Sequence, residues 1–99
     1  MVEKKMKSCS QIATLESAHI AKRLYNHWKH KFEVLETAQE LRILMPSATI
    51  VLQPQPDALY TEIIAQDENT DLNRLEQVVL DHLQRMGQEQ LSADWQQAD

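Results

Sequence analysis

Four short segments of β-type sequence lie within residues 32–65, and their close spacing constrains the fold more than any other feature. They read "FEVLE", "LRILM", "ATIVLQ" and "ALYTEIIA". Each alternates apolar side chains or is rich in β-branched ones, as half-buried strands do. The connectors "ETAQE", "MPSA" and "QPQPD" are far shorter than the dozen or so residues that a parallel crossover needs. The pattern therefore predicts antiparallel hairpins.

Two segments have the periodicity of amphipathic helices. In the first, Ser17 is predicted to be the N-cap of a helix that runs to about residue 30 or 31. In the second, "TDLNRLEQVVLDHLQRMG", Thr70 is the predicted cap and Gly87 the predicted stop signal. Apolar residues recur there at steps of three and four. Each helix has a single apolar face and should lie on a sheet.

The ends of the chain add two further strand-like segments. "CSQIATLE" alternates Ser10, Ile12 and Thr14 on one side, and "LSADWQ" predicts a short last strand or an anchored tail. The order is then β-α-β-β-β-β-α-β. It predicts an α+β fold, a single antiparallel sheet of about five strands with both helices on one face. Residues 1–99 form one domain, with residues 1–7 and 96–99 expected to be flexible.

The sheet face opposite the helices should be solvated or buried in a partner. Several apolar side chains are predicted on that face, and such a row favours a homodimer through the open face of the sheet. These residues are Leu35, Leu44, Val51, Ala58, Tyr60 and Ile64.

Composition narrows the class of protein. The one glycine excludes a glycine-rich phosphate loop, and the one cysteine, Cys9, excludes an internal disulfide and fits a reducing compartment. No segment has the apolar length of a membrane span, and no apolar run follows the basic start of the sequence. A cytoplasmic protein without a cofactor and without a membrane partner is expected.

Charge is distributed unevenly along the chain. Residues 1–31 hold seven basic and two acidic side chains, whereas residues 32–99 hold three basic and thirteen acidic ones. The two regions can neutralise each other within the fold or across a dimer, or the basic region can attract a small anion. A net charge of −5 and few aromatic residues argue against a nucleic-acid partner.

Several motifs together resemble a known family. The stretch "HWKHKFEV" at 27–34 is followed by "DHLQRM" at 81–86 and by Trp95, and the strand "SQIAT" precedes the first helix. This combination resembles the bacterial family catalogued as domain of unknown function 2218. The resemblance implies a small protein, and some relatives joined to siderophore-interacting flavin reductases imply a link to iron or siderophore handling.

The candidate site residues are His27, His30, Lys31, His82 and Arg85. His27 and His30 project about 60° apart on the first helix, and His82 falls within the sheet-facing stripe of the second. If the helices are neighbours, Lys31 and Arg85 can hold an anionic group while His27 and His82 orient it. Arg85 can also pair with Asp81 one turn away. Satisfied core or helix-end roles are the simpler alternative for all five.

Three classes of function remain open from the sequence. The first is a non-catalytic ligand-binding or accessory protein with an anionic small molecule as ligand. The second is a metal-binding protein that uses His27, His30 and His82, and the third is a purely structural homodimer. A catalytic role has no support, because neither a nucleophile elbow nor an activated cysteine is present.

Overall fold

The computed structural model describes residues 5–99 and contains the predicted order of elements. Of the segment predicted to be flexible at the start, residues 1–4 lie outside the described part. The elements are β1 (Lys7–Ala13), α1 (Ser17–Trp28), β2 (Glu33–Glu36), β3 (Leu41–Leu44), β4 (Ala48–Pro54), β5 (Ala58–Ala65), α2 (Leu72–Gly87) and β6 (Gln96–Ala98).

The strands form one open antiparallel sheet in the order β2-β3-β4-β5-β1-β6. The three hairpins predicted within residues 32–65 pair in sequence, and β1 then adds to β5 on the other side. The α+β class and the two helices are confirmed. The sheet has six strands rather than about five, because the last strand pairs with the outer edge of β1.

The core lies between the sheet and the two helices. α1 packs across β3, β4 and β5, and α2 packs across β5 and β1. Fully buried side chains from both layers meet there: Ile12, Ile20, Leu24, Ile43, Ile50, Leu52, Leu59, Ile63, Val79 and Leu83. Each stabilises the fold by roughly 1.5–3 kcal/mol relative to an exposed position.

The start of α1 differs from the prediction. Glu16 occupies the N-cap position without a capping hydrogen bond, and Ser17 is the first helical residue. The Ser17 hydroxyl instead donates to the backbone carbonyl of Gln55, which ties the helix start to the connector between β4 and β5. The helix ends at Trp28, two residues earlier than the shortest predicted length. A tertiary hydrogen bond has displaced the local cap.

The start of α2 is shifted by one residue from the predicted cap. Asp71, not Thr70, is the N-cap, and its carboxylate accepts from the backbone N–H of Arg74 at 3.1 Å. The Thr70 hydroxyl donates to the carbonyl of Ser47 at 2.8 Å. As with Ser17, the predicted capping residue bonds to a distant part of the chain.

Gly87 serves close packing rather than the predicted helix stop. It is the last residue of α2, and the left-handed conformation that ends the helix belongs to Gln88, with φ of 52°. A Cβ at Gly87 would lie 2.8 Å from Cδ1 of Ile20 on α1. The lack of a side chain therefore lets the two helices approach each other.

The C-terminal segment corrects the position of the last strand. Residues 91–95 are not a strand; Leu91 is buried, Ala93 and Trp95 pack partly buried against the core, and β6 begins at Gln96. The backbone N–H of Asp94 donates to Oγ of Ser10. A bond to a side chain here takes the place of the backbone hydrogen bonds that would pair a strand with β1. The alternation in "LSADWQ" therefore belongs to a segment that packs on the core, which is the anchored tail predicted as the alternative to a strand. Flexibility of residues 96–99 stays a prediction, although three of them pair with β1.

Within residues 5–99, neither helix has the length and apolar character needed to cross a bilayer.

Candidate functional site

The two helices bring His27 and His82 together. Their ring centres are 5.7 Å apart, with the ring planes inclined at 47°. We call these two side chains the imidazole pair. Trp28 lies beside them, with its ring centre 4.8 Å from that of His82. The sequence predicted that these two histidines could share a site, and the structure places them side by side.

The imidazole pair follows from where the helices direct their apolar faces. On α1, Trp28 is only 5% exposed and packs edge-on against Phe32, so the adjacent His27 lies at the solvent margin. On α2, Val79 and Leu83 occupy the core. His82 precedes Leu83 by one residue, which rotates it by about 100° away from the sheet.

This rotation corrects the predicted environment of His82. The side chain is half-buried and faces α1, rather than lying in the stripe that faces the sheet. It has the hydrogen bond that burial requires: Nδ1 lies 2.8 Å from the carbonyl oxygen of Val78, one turn earlier. A carbonyl can only accept, so this bond places a hydrogen on Nδ1. In the neutral ring, Nε2 then carries the free lone pair.

His30 and Lys31 do not extend the helix as predicted. Both are exposed and lie in the turn beyond the end of α1, where the Lys31 N–H donates to the carbonyl of Trp28. The Lys31 ammonium lies 5.6 Å from the centre of the Phe32 ring. Both side chains are near the imidazole pair along the chain, and within residues 5–99 neither forms a hydrogen bond, ion pair or ring contact with it.

Arg85 lies at a different level of the molecule from Lys31. Gly87 meets Ile20 near the start of α1, and His82 meets Trp28 at its end, so the helices run antiparallel. At 1.5 Å per residue, Arg85 and Lys31 are separated by on the order of 10 Å along the helix axes. The two side chains form no hydrogen bond or ion pair within residues 5–99, and their clamp on one carboxylate stays a prediction.

The predicted pair of Arg85 with Asp81 is also not formed in the described part of the chain. Asp81 accepts a hydrogen bond from the Gln77 amide at 3.1 Å instead. The ion pairs present among residues 5–99 are Lys5–Asp99, Lys22–Glu36 and Arg42–Glu40. Exposed i, i+4 pairs are worth only ~0.3–0.5 kcal/mol, so a competing amide is enough to displace one.

His30 does not join the imidazole pair as a third metal ligand. Within residues 5–99, no group of three or more His, Cys, Asp or Glu side chains is placed to hold a metal ion. The thiol of Cys9 is not available there, because Cys9 is on β1 and projects from the face opposite the helices. Two imidazoles are therefore the whole donor set that the described chain offers at this point.

Sequence reasoning missed a groove at the opposite end of α1. Its volume is about 690 Å³, and it lies between α1, the β2–β3 turn and the end of β4. Lys22 reaches across it to both carboxylate oxygens of Glu36 at 3.0 Å. Glu40 accepts from Arg42 and from Gln53. No sequence signal marks this groove, because it arises from how α1 crosses the sheet.

The groove and the imidazole pair differ in what they offer a ligand. The groove has the size of a small-molecule site, but its charged side chains already satisfy one another. The imidazole pair lies at a shallower surface and keeps a ring nitrogen of His82 free. We therefore treat the imidazole pair as the candidate site, since free polar groups rather than volume determine what can bind.

Comparison with known proteins assigns the chain to a family. Residues 9–96 match the family described as "uncharacterized protein conserved in bacteria", domain of unknown function 2218. The match spans most of the chain, so the protein belongs to this family. Its fold is similar to that in the NMR structure of PA4090 from Pseudomonas aeruginosa. The two are 35% identical over 92% of this chain and 95% of that one, with a TM-score of 0.75. No curated protein matches the sequence.

Proposed function

We propose that the protein is a non-catalytic binding protein whose site is the imidazole pair. The observation that carries this proposal is the approach of His27 and His82, from separate helices, to 5.7 Å between ring centres. His27 is exposed and His82 is half-buried with one ring nitrogen free, so both rings can bond to a molecule outside the protein. A ligand that bridges the two rings would use polar groups that the fold itself leaves available.

An anionic small molecule is the ligand that the surroundings favour. Lys29 and Lys31 are exposed and follow Trp28, the last residue of α1. Their charges lie at the C-terminal end of α1, where cations are also favoured by the helix dipole. A ligand with both a hydroxyl and an anionic oxygen, such as a hydroxycarboxylate or a catecholate, can donate to the lone pair on Nε2 of His82 and accept from an N–H of His27. The ammonium groups of Lys29 and Lys31 raise the local positive potential.

Isothermal titration with citrate and with 2,3-dihydroxybenzoate tests this proposal. Binding should weaken about tenfold or more in His27→Gln and in His82→Gln, since each removes one ring. His19→Gln is the matched control, because His19 is exposed at the other end of α1 and should leave binding unchanged. The absence of heat with both ligands, or equal losses in all three variants, would count against an anion site here.

A divalent metal ion is a second candidate, favoured by the tautomer of His82. Metal-bound histidines almost always donate their other ring N–H to a carbonyl or carboxylate, as His82 does to Val78. With metal–nitrogen bonds of about 2.0–2.1 Å, two imidazoles on one ion have ring centres roughly 5–6 Å apart. The separation of 5.7 Å falls in that range. Water or a small ligand would complete the coordination.

Titration with Ni²⁺ and Cu²⁺ separates the two candidates. Cu²⁺ at the imidazole pair should quench the fluorescence of Trp28, which packs against His82. The quench should need at least tenfold more metal in His82→Gln and be unchanged in His19→Gln. Unchanged fluorescence in the native chain at millimolar metal would remove this candidate.

The most specific version of the proposed function is a role in iron or siderophore handling. It rests on the relatives that the sequence resemblance suggested, and a catecholate ligand in the titration above is its direct test. A cytoplasmic location and the absence of catalysis are proposals of the same kind; the first is supported by the single cysteine, which fits a reducing compartment.

A further inference from the structure

The face of the sheet that points away from the helices has no cover within residues 5–99. We call it the open face. It mixes apolar side chains that are partly or largely exposed, including Leu35, Leu44, Tyr60 and Ile64, with charged ones. A partner that covers this face must therefore match its charged side chains as well as its apolar ones.

Strand register arranges the open face in rows that cross the sheet. In the central row, Leu35 pairs with Arg42, Arg42 with Val51, Val51 with Glu62, and Glu62 with Cys9. Val51, on β4, is only 1% exposed, because longer side chains flank it on both sides. The row thus has a cation on one side of β4 and an anion at the same distance on the other.

The adjacent row also has one positive and one negative side chain on opposite sides of β4, but each is two strands away from it. Glu33 pairs with Leu44, Leu44 with Thr49, Thr49 with Ile64, and Ile64 with Lys7. Here two aliphatic side chains flank Thr49 of β4, and the charges of opposite sign lie on β2 and β1. If either row is reversed about β4 and laid on the original, each positive charge therefore lies opposite a negative one.

We propose that a second copy of this chain covers the open face, related by a twofold axis parallel to β4. Such an axis places β3 against the partner's β5 and β2 against the partner's β1. Arg42 then faces the partner's Glu62, Leu44 faces the partner's Ile64, and Glu33 faces the partner's Lys7. Each contact occurs twice, as an isologous interface requires. Face-to-face sheets keep their strands within about 30°, so the pairs nearest β4 stay opposed.

The charges are incompatible with the other simple arrangement, in which the twofold axis runs across the strands. A twofold axis across the strands would put Arg42 against the partner's Arg42 and Glu62 against the partner's Glu62. Like charges directly opposed on packed sheets are destabilising. The axis along β4 also leaves each group able to bond: Arg42 gives only Nε to Glu40, and Glu62 accepts only from the Tyr60 hydroxyl. The remaining guanidinium nitrogens and carboxylate oxygen are available across the interface.

The area available indicates a dimer of modest affinity. Strands of up to eight residues, spaced about 4.8 Å apart, give roughly 500 Å² of flat sheet on each copy. Two copies then bury on the order of 1,000 Å², near the lower limit for a specific interface. Partly exposed charge pairs are screened by salt, so added salt should weaken the assembly.

Charge reversal with mixing tests the axis. Sedimentation equilibrium from about 5 to 500 μM should show a dimer for the native chain. Arg42→Glu alone and Glu62→Arg alone should each weaken self-association at least tenfold, because both place like charges opposite each other. Mixed together, the two variants should form a heterodimer, since each position then faces an opposite charge. The double variant should dimerise like the native chain.

Two further variants guard against loss of folding. Lys7→Glu and Glu33→Lys change exposed side chains and should behave as the first two do, including recovery on mixing. Arg23→Glu, on the exposed side of α1, is the control and should leave the dimer intact. A native chain that stays monomeric at 500 μM overturns the proposal and leaves the face to another protein or to solvent. A dimer indifferent to all four reversals overturns it equally.

Discussion

The two halves of the core are held together by different means. Under α1, the sheet presents aliphatic side chains such as Ile43, Ile50 and Leu52, all fully buried. Under α2, β1 instead presents Ser8 and Ser10, with Thr61 of β5 beside Ser10. We call these the aliphatic half and the hydroxyl half. The aliphatic half stabilises the fold by burying apolar area. The hydroxyl half stabilises it by hydrogen bonds, and their geometry fixes the position of the segments packed on it.

The hydroxyl half explains where the C-terminal segment is held. Ser8 donates to the Glu76 carboxylate of α2 at 2.6 Å, and Ser10 accepts from the backbone of Asp94. Glu76 also accepts from the Gln97 amide at 2.9 Å, which joins α2 to β6. An aliphatic surface would tolerate several positions of this segment, whereas these bonds select one.

The largest effect should come from removing area in the aliphatic half. Leu52→Ala should lower the free energy of unfolding by about 2–5 kcal/mol, because the site is fully buried and cannot collapse freely. Leu35→Ala is the matched control, since Leu35 is 55% exposed, and it should cost less than about 1 kcal/mol. Urea unfolding measures both. Equal losses would mean that the two positions do not differ in burial as described.

A smaller loss is expected from the hydroxyl half. Ser8→Ala should cost about 1–3 kcal/mol, because the partly buried Glu76 loses a donor while almost no area is lost. Ser10→Ala should cost about 1 kcal/mol, since it leaves the Asp94 amide unpaired. Hydrogen exchange of β6 should rise in both variants. Unchanged protection in β6 would contradict the holding role of this half.

Thr61 should respond in the opposite direction. Its buried hydroxyl oxygen has no hydrogen-bond partner among residues 5–99. Replacing it in Thr61→Val removes the cost of that desolvated group, and the free energy of unfolding should rise by about 1 kcal/mol. Thermal unfolding measures the change. A destabilised variant would show that the hydroxyl is satisfied, for instance by a water molecule shared with Ser10.

The smallest effect concerns a partly buried ion pair outside both halves. Hydrogen bonds from Arg42, and then from Gln53, lower the pKa of the Glu40 carboxyl below its ordinary value. A folded pKa below the unfolded one means that the stabilisation is present above the unfolded pKa and is lost as pH falls through the folded pKa. Arg42→Gln should raise the Glu40 pKa in an NMR titration, with little change in stability at neutral pH. An unmoved titration would contradict the stated cause.

Periodicity predicted the order of elements because it depends on neighbours in the chain. The alternation within residues 32–65 and the stripe of α2 are properties of the local sequence, and both were confirmed. The caps were wrong because the hydroxyls of Ser17 and Thr70 bond to distant carbonyls, which local rules do not include. Tertiary contacts override local propensity at such positions.

The site was predictable only in part for a related reason. Helical spacing gives the face on which a residue lies, so bringing His27 near His82 required only that the helices be neighbours. It does not give the level at which two helices meet, and the joint role of Lys31 and Arg85 therefore stays a prediction. The groove beside Lys22 depends on the crossing of α1 over the sheet, which no residue pattern encodes.

Gly87 has a consequence for the distance between the two imidazoles. It is the point where α2 touches Ile20, about one and a half turns from His82. A methyl group there would overlap the side chain of Ile20, which is fully buried and would have to change its conformation. Gly87 therefore maintains a contact between the helices five residues from His82, and the imidazole pair depends on the same approach of the two helices.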